Sequence, residues 1–164
     1  MLVVSNTSPL LNLAIIDHVF LLPEQFGQIH IPTAVFRELK IDEDRPGSVH
    51  LQSALEQGWL ISCSVGNTAL VNLLQQQLHQ GESEAIALAV ERSANTILLD
   101  EKEARQAART FALSMTGVLG ILLRGWYDGS VISLKTVTER LQREANFRIA
   151  PSLLQKVLQE SGES

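Results

Sequence analysis

Two kinds of segment follow one another along the chain, and they differ in how apolar and polar residues are spaced. Short runs of consecutive apolar residues, such as Thr96–Leu99, are typical of parallel strands that are covered on both faces. Longer segments between these runs carry apolar residues at helical spacing. Because strands and helices alternate, we expect an α/β fold, a three-layer α/β/α sandwich with a mainly parallel sheet of about five strands.

The pattern also predicts where each element lies. Ser8 and Pro9 suit the start of a first helix, and Gly58 suits the end of a later one. Strands are predicted at residues 2–5, 29–31, 59–65, 96–99 and 113–116. Helices are predicted at residues 10–16, 33–40, 49–57, 68–79, 81–91, 104–112 and 117–127. Two amphipathic helices at about 134–160 are expected to pack on the domain or on a partner.

Chain length, composition and net charge exclude several classes of protein. We interpret residues 1–164 as a single domain, since a chain of this length can bury a proper core. No apolar run approaches membrane-spanning length, and no export signal is visible, so no membrane association is expected. The lone Cys63 cannot form an internal disulfide, which fits a cytoplasmic location. The formal net charge of −5 argues against a broad basic surface for nucleic acid.

Candidate chemistry centres on Gly81–Arg105, which we interpret as a buried helix, a short strand and the start of another helix. Glu84 lies at the mouth of the apolar run of this helix, and Asp100 and Glu101 follow the strand. Ligands of open parallel sheets bind outside the carboxyl ends of the strands. With Asn6 and Glu38, which follow two other strands, these acids form the oxygen-rich set that Mg²⁺ or Mn²⁺ prefers. Such an ion supports hydrolysis of a phosphodiester.

Each of these residues also has a purely structural interpretation. Asp100 is followed by Glu103 at the spacing of a capping box, and an acid such as Glu84, like Glu82, is favoured in the first turn of a helix. Glu38 can be a solvated surface acid, and Asn6 an ordinary turn residue.

Four motifs taken together point to one family. They are LVVSNTSPL, IPTAVFREL, GESEAIALA and ILLDEKEAR, in this order. The chain resembles the PIN-domain proteins, most closely the branch with a GExEAI motif followed by LLDD or LLDE and an Arg (the DUF3368 type). The resemblance covers about residues 2–125, and GVLGILLRGWYDG also looks like that branch. It implies a parallel α/β/α sandwich and a metal-dependent endoribonuclease like the toxins of bacterial toxin–antitoxin pairs.

The resemblance also implies a role for individual residues. The four acids of the family correspond to Asn6, Glu38, Glu84 and Asp100, and Glu101 shares or replaces the last role. Glu84 and Asp100 would hold Mg²⁺ or Mn²⁺, Glu38 would hold the ion or orient its water, and Asn6 would be a weak ligand. Ser8 and Arg105 match residues of the family that lie beside the acids or contact the substrate.

Asn6 is where the chain departs from the family, because an amide removes one negative charge from the site. We expect this to weaken metal binding by roughly one to two orders of magnitude. The main alternative is therefore a degenerate PIN domain that acts as a binding or regulatory module without cleaving RNA. A third possibility, a phosphoryl-transfer or receiver-like domain, lacks a Gly-rich phosphate loop.

Partners follow from the leading interpretation. We expect a single-stranded RNA substrate, and an antitoxin protein that covers the acidic site with a basic side chain. A homodimer is expected through the apolar helix Val118–Trp126 or through the two C-terminal helices. The alternative is that these helices complete the core of one chain.

Overall fold

The centre of the molecule is a five-stranded sheet. The computed structural model describes residues 1–163. Within them the strands are β1 (Val3–Ser5), β2 (Ile29–Pro32), β3 (Leu60–Cys63), β4 (Thr96–Leu98) and β5 (Met115–Thr116). Their order is β3-β2-β1-β4-β5, and every neighbouring pair is parallel. The predicted α/β class and parallel sheet are confirmed.

Ten helices in residues 1–163 flank the sheet. They are α1 (Thr7–Ile15), α2 (Leu21–Phe26), α3 (Thr33–Leu39), α4 (Ser48–Gln57), α5 (Thr68–Leu74), α6 (Gln80–Glu91), α7 (Lys102–Thr110), α8 (Val118–Tyr127), α9 (Leu134–Glu144) and α10 (Pro151–Ser161). In this part of the chain no helix is long and apolar enough to cross a membrane.

The inner strand β1 and the helix α6 form the buried centre. Val3 pairs with Ile29 of β2 and with Thr96 of β4, and all three residues of β1 are buried. The run Ala85–Ala89 of α6 is fully buried, because α6 packs against β1, β2, α3 and α5. The sequence predicts a buried helix here because a helix that is apolar on every side belongs to the core. The structure agrees with this prediction.

Helix α1 begins earlier than predicted. Its N-cap residue is Asn6, so that Ser8 and Pro9 lie inside the first turn instead of before it. Proline is tolerated there because the first N–H groups of a helix have no partner within the helix. This shift makes Asn6 the junction between β1 and α1. Helix α4 ends as predicted, at Gly58, which adopts the left-handed conformation with φ 80°.

Helices α5 and α2 also differ from the predicted elements. Helix α5 ends at Leu74, not at His79, and the chain turns at residues 75–78, where Leu78 is buried. Helix α2 has no counterpart among the predicted elements. It packs against α8, so tertiary contacts stabilise a segment only six residues long.

The C-terminal helices α9 and α10 pack on other helices and on each other. Helix α9 contacts α1 and α8, and buries Leu134, Val137 and Leu141. The apolar face of α8 is buried through Val118, Ile121 and Leu122. That face therefore belongs to the core of one chain, and the homodimer stays a prediction.

Candidate functional site

The candidate site lies at the carboxyl edge of the sheet, between β1 and β4. The chain proceeds from β1 outward through β2 to β3, and then returns to β4 on the other side of β1. The two inner strands therefore separate connections that run in opposite directions, and ligands of open α/β sheets bind at such a switch point. Asn6 directly follows β1, while Asp100 and Glu101 follow β4.

Asn6 is held firmly at this point. Its backbone N–H donates a hydrogen bond to the Leu98 carbonyl (3.0 Å), which ties the end of β1 to β4. The side-chain Nδ2 donates to Glu101 Oε2 (3.3 Å). Asn6 is 1% exposed, and its Oδ1 is buried without a hydrogen-bond partner in residues 1–163. Because buried oxygens are rarely left unpaired, the unpaired Oδ1 marks a position at which a ligand could bind.

Glu38, on α3, reaches the same edge from the other side of Asn6. Its Oε2 accepts a hydrogen bond from the Thr7 hydroxyl (2.5 Å). The carboxylate lies directly against Gly81 in the first turn of α6. A Cβ atom at Gly81 would lie 2.4 Å from Oε2, closer than any real contact. Glycine at position 81 therefore makes room for Glu38.

Glu82 joins this group from the first turn of α6. It is 5% exposed, and its Oε1 accepts from the backbone N–H of His79 (3.4 Å) while Oε2 lies 3.3 Å from His79 Nε2. Burial raises the pKa of Glu82, and the negative charges of Glu101 and Glu38 raise it further, against the opposing effect of His79. The carboxylates of Glu38 and Glu101 thus lie close enough to Glu82 for their charges to act on it.

Glu84 lies apart from this group. Its Oε1 accepts from the backbone N–H of Ala34 in the first turn of α3 (3.1 Å), and its Oε2 accepts from Gln80 Nε2 (2.9 Å). Positions 82 and 84 point about 200° apart on a helix of 3.6 residues per turn. The structure therefore brings Glu82 to the group in the place predicted for Glu84, whose carboxylate stabilises the N-terminus of α3.

Asp100 borders the group on the β4 side. Its Oδ1 accepts from the backbone N–H of Val118, the first residue of α8 (3.0 Å), and its Oδ2 is buried without a partner in the described residues. Burial raises the pKa of Asp100 to about 6, and the charge of Glu101 adds to the rise, while the Val118 bond and Arg105 oppose it. The capping-box interpretation is not met, because the N-cap of α7 is Glu101.

The two predicted accessory residues have different positions. Arg105 donates from Nη1 to the Leu99 carbonyl (3.0 Å), and so lies at the end of β4 close to Asp100. The Ser8 hydroxyl is buried without a partner in residues 1–163. The hydroxyl that contacts an acid of the group is that of Thr7.

The donor set suits a hard divalent cation in its chemistry, since it consists of carboxylates and an unpaired amide oxygen. These side chains do not lie close enough together to form a complete metal site. Within residues 1–163 no group of three or more His, Cys, Asp or Glu side chains is arranged to hold a metal ion. Asn6, Glu82 and Glu101 are the residues that could hold one, with Asp100 beside them.

Sequence reasoning missed Thr7 and His79, and it assigned to Glu84 the place that Glu82 occupies. One signal was present for the acids. Seven residues after Glu82 the same helical face carries the buried Ala89, whereas seven residues after Glu84 it carries the exposed Glu91. No sequence signal marks Thr7 or His79, which reach the acids only through the packing of α1, α3 and α6.

The comparison with known families decides the assignment. The model of the DUF3368 family, described as a PIN domain, matches residues 2–163. The chain belongs to the PIN-domain family. The PIN domain is a nuclease-type fold, and PIN domains generally depend on divalent metal ions. Proteins of the family generally bind RNA and often pair with antitoxin proteins.

A solved PIN-like structure agrees with this fold. A PilT N-terminus domain protein from the hyperthermophilic archaeon Sulfolobus solfataricus P2 superposes with a TM-score of 0.51 at 21% identity. The match covers 74% of this chain and 91% of that one. No curated protein matches the chain.

Proposed function

We propose that this PIN domain is a Mg²⁺- or Mn²⁺-dependent endoribonuclease, of the kind that acts as a toxin and is held in check by an antitoxin. The observation that carries the proposal is the buried Glu82 at the switch point of the sheet, whose pKa is raised by burial and by the nearby charges of Glu101 and Glu38. The unpaired Oδ1 of Asn6 lies in the same place. Family membership supplies the expectation of phosphodiester hydrolysis.

Separate roles follow for the residues. Asn6 Oδ1, Glu82 and Glu101 would hold the ion, which would polarise the phosphodiester and activate a water. Glu38 would accept a proton or orient the attacking water, since the Thr7 hydroxyl and Gly81 fix its carboxylate at the edge of the group. Asp100 would complete the negative field, and Arg105 would contact a phosphate of the substrate. Glu84 has no part in the proposal, because its carboxylate is committed to α3.

The test compares two acids of the same helix turn. Purified protein is incubated with single-stranded RNA with and without Mn²⁺, and Glu82→Gln and Glu84→Gln are run beside the wild type. Glu82→Gln should lower Mn²⁺-dependent cleavage by tenfold or more, whereas the matched variant Glu84→Gln should cleave RNA normally. If wild type does not cleave RNA with Mn²⁺, or if Glu84→Gln alone abolishes cleavage, the proposal is wrong.

A second candidate function is a PIN domain without nuclease activity that binds or regulates a partner. Two observations favour it: the first acid of the family is replaced by Asn6, whose amide donates to Glu101, and the described residues contain no complete metal site. Asn6→Asp separates the two candidates. Under the second function, wild type is inactive and Asn6→Asp gains Mn²⁺ binding in a calorimetric titration; under the first, wild type already cleaves.

An antitoxin would cover the same edge of the sheet. The carboxylates at the switch point carry the charge that a basic side chain of such a partner would neutralise through charge-assisted hydrogen bonds. Co-purification of the neighbouring gene product and inhibition of cleavage by it would test this part of the proposal.

A further inference from the structure

A basic groove adjoins the acidic group. A cavity of about 630 Å³ lies between α7, the turn from β5 to α8, and the segment that leads into α10. We call it the α7–α8 groove. Its charged lining consists of Lys102, Arg105, Arg109 and Arg148, with Asp100 as the acid where it meets the site.

The charge of this groove is opposite to that of the chain as a whole. The protein has 13 Lys and Arg residues against 18 Asp and Glu, yet the groove collects four of those cations around one carboxylate. None of the four forms an ion pair with a carboxylate within residues 1–163. Cations that form no ion pair and lie around a concave surface focus a positive potential there.

The groove meets the candidate site at Asp100, next to Gly117. A Cβ atom at Gly117 would lie 2.5 Å from Asp100 Oδ1 and 3.1 Å from Arg105 Nη1, so a larger residue would displace these side chains. The hydrogen bond from Arg105 to the Leu99 carbonyl holds its guanidinium at this end of the groove. The N-terminus of α8, which begins at Val118, adds a positive helix end.

An aromatic side chain and apolar residues complete the groove. Phe147 is half-buried and lies in the lining beside Leu119 and Leu153. Its backbone N–H donates to the Leu141 carbonyl at the end of α9 (3.2 Å), which holds this part of the segment in place. A track of cations for phosphates next to an aromatic face for a base is the combination that binds single-stranded nucleic acid.

We propose that the α7–α8 groove binds a single-stranded RNA segment and leads it to the acidic group, with Arg109 and Arg148 on the phosphates and Phe147 against a base. The choice of RNA rests on the proposed ribonuclease function. A free acidic peptide would use the cations but would have no use for the aromatic face, so RNA is the ligand that the lining favours.

The number of cations limits the strength of binding. Neutralising about three to four phosphates of a single strand gives a slope of log K against log salt concentration of roughly −2 to −3, at about −0.7 per phosphate. The variant Arg109→Glu/Arg148→Glu should make this slope shallower by about 1.4. Phe147→Leu should weaken binding about fivefold or more and leave the slope unchanged, because stacking does not involve counterions.

The experiment measures binding without catalysis. Fluorescence anisotropy of a short labelled single-stranded RNA is recorded in EDTA between about 50 and 200 mM salt. The matched control is Arg92→Glu, which makes the same kind of charge reversal at an exposed residue at the C-terminal end of α6, opposite the carboxyl edge. All four groove and control positions are partly or fully exposed, and a thermal melt of each variant verifies the fold.

The expected result is salt-dependent binding by wild type and Arg92→Glu, and at least tenfold weaker binding at low salt by Arg109→Glu/Arg148→Glu. The inference is overturned if wild type does not bind the RNA, or if Arg92→Glu weakens binding as much as Arg109→Glu/Arg148→Glu does. It is also overturned if a poly-glutamate peptide binds as tightly as the RNA and ignores Phe147→Leu. RNA binding without Mn²⁺-dependent cleavage would refute the nuclease proposal alone.

Discussion

Replacing Asp100 by Asn is expected to stabilise the metal-free protein at neutral pH. Burial raises the pKa of this carboxyl from 3.8 to about 6, and the charge of Glu101 adds to the rise. The bond from the Val118 N–H to Oδ1 can be kept by the Asn carbonyl oxygen, since the two side chains have the same shape. The substitution therefore removes a buried negative charge without removing the contact to α8.

The sign of the pH dependence follows from proton binding. Between about pH 4 and pH 6 the folded protein holds a proton on Asp100 that the unfolded chain has released, so the free energy of unfolding falls as the pH rises through this window. The two pKa values differ by about two, and one pKa unit corresponds to about 1.4 kcal/mol. We expect Asp100→Asn to be more stable than wild type by about 1–3 kcal/mol at pH 7.5 and equally stable below about pH 4.

Urea denaturation in EDTA, followed by the fluorescence of Trp59 and Trp126, measures this difference at several pH values. The control is Asp44→Asn, which makes the same chemical change at an exposed position in the connection before α4 and should leave stability within about 0.5 kcal/mol. An Asp100→Asn protein that is no more stable than wild type at pH 7.5, or that keeps a constant difference at every pH, would refute the reasoning.

Two glycines give further predictions. Gly81→Ala should lower Mn²⁺-dependent RNA cleavage because its Cβ would displace the Glu38 carboxylate, while the melting temperature stays equal or rises, since Ala favours a helix by about 1 kcal/mol; full cleavage by this variant would contradict the role of Glu38. Gly125→Ala should lower stability by about 1 kcal/mol or more, because its Cβ would lie 2.8 Å from Val131 and 3.0 Å from Leu21, both buried. A urea denaturation curve that matches wild type would show that these side chains move aside at little cost.

The local pattern of apolar residues and glycines was sufficient to predict the α/β architecture. The strand around Val3, the buried helix through Ala85–Ala89 and the end of α4 at Gly58 all follow from neighbouring residues, and the structure has each of them. Runs of apolar residues and left-handed glycines act over a few positions, so one sequence contains the whole signal. The motifs that resemble PIN domains agree with the family match over residues 2–163.

The membership of the acidic group depended on tertiary packing. Both Glu82 and Glu84 suit the first turn of a helix. Only the rotation of α6 about its axis separates the acid near Glu38 and Glu101 from the acid that binds the Ala34 N–H in the first turn of α3. The docking of α6 against β1 and α3 sets this rotation.

The sequence by itself thus determined the alternation of strands and helices apart from α2, the buried centre, and the approximate positions of Asn6 after β1 and of Asp100 and Glu101 after β4. Only the tertiary structure decided which carboxylates meet, that Thr7 contacts Glu38, and that Arg109 and Arg148 line one groove. The physical reason is range. Backbone and burial preferences act between neighbours in the chain, whereas the field at a charged site is the sum over residues from several elements, and their distances exist only once the chain has folded.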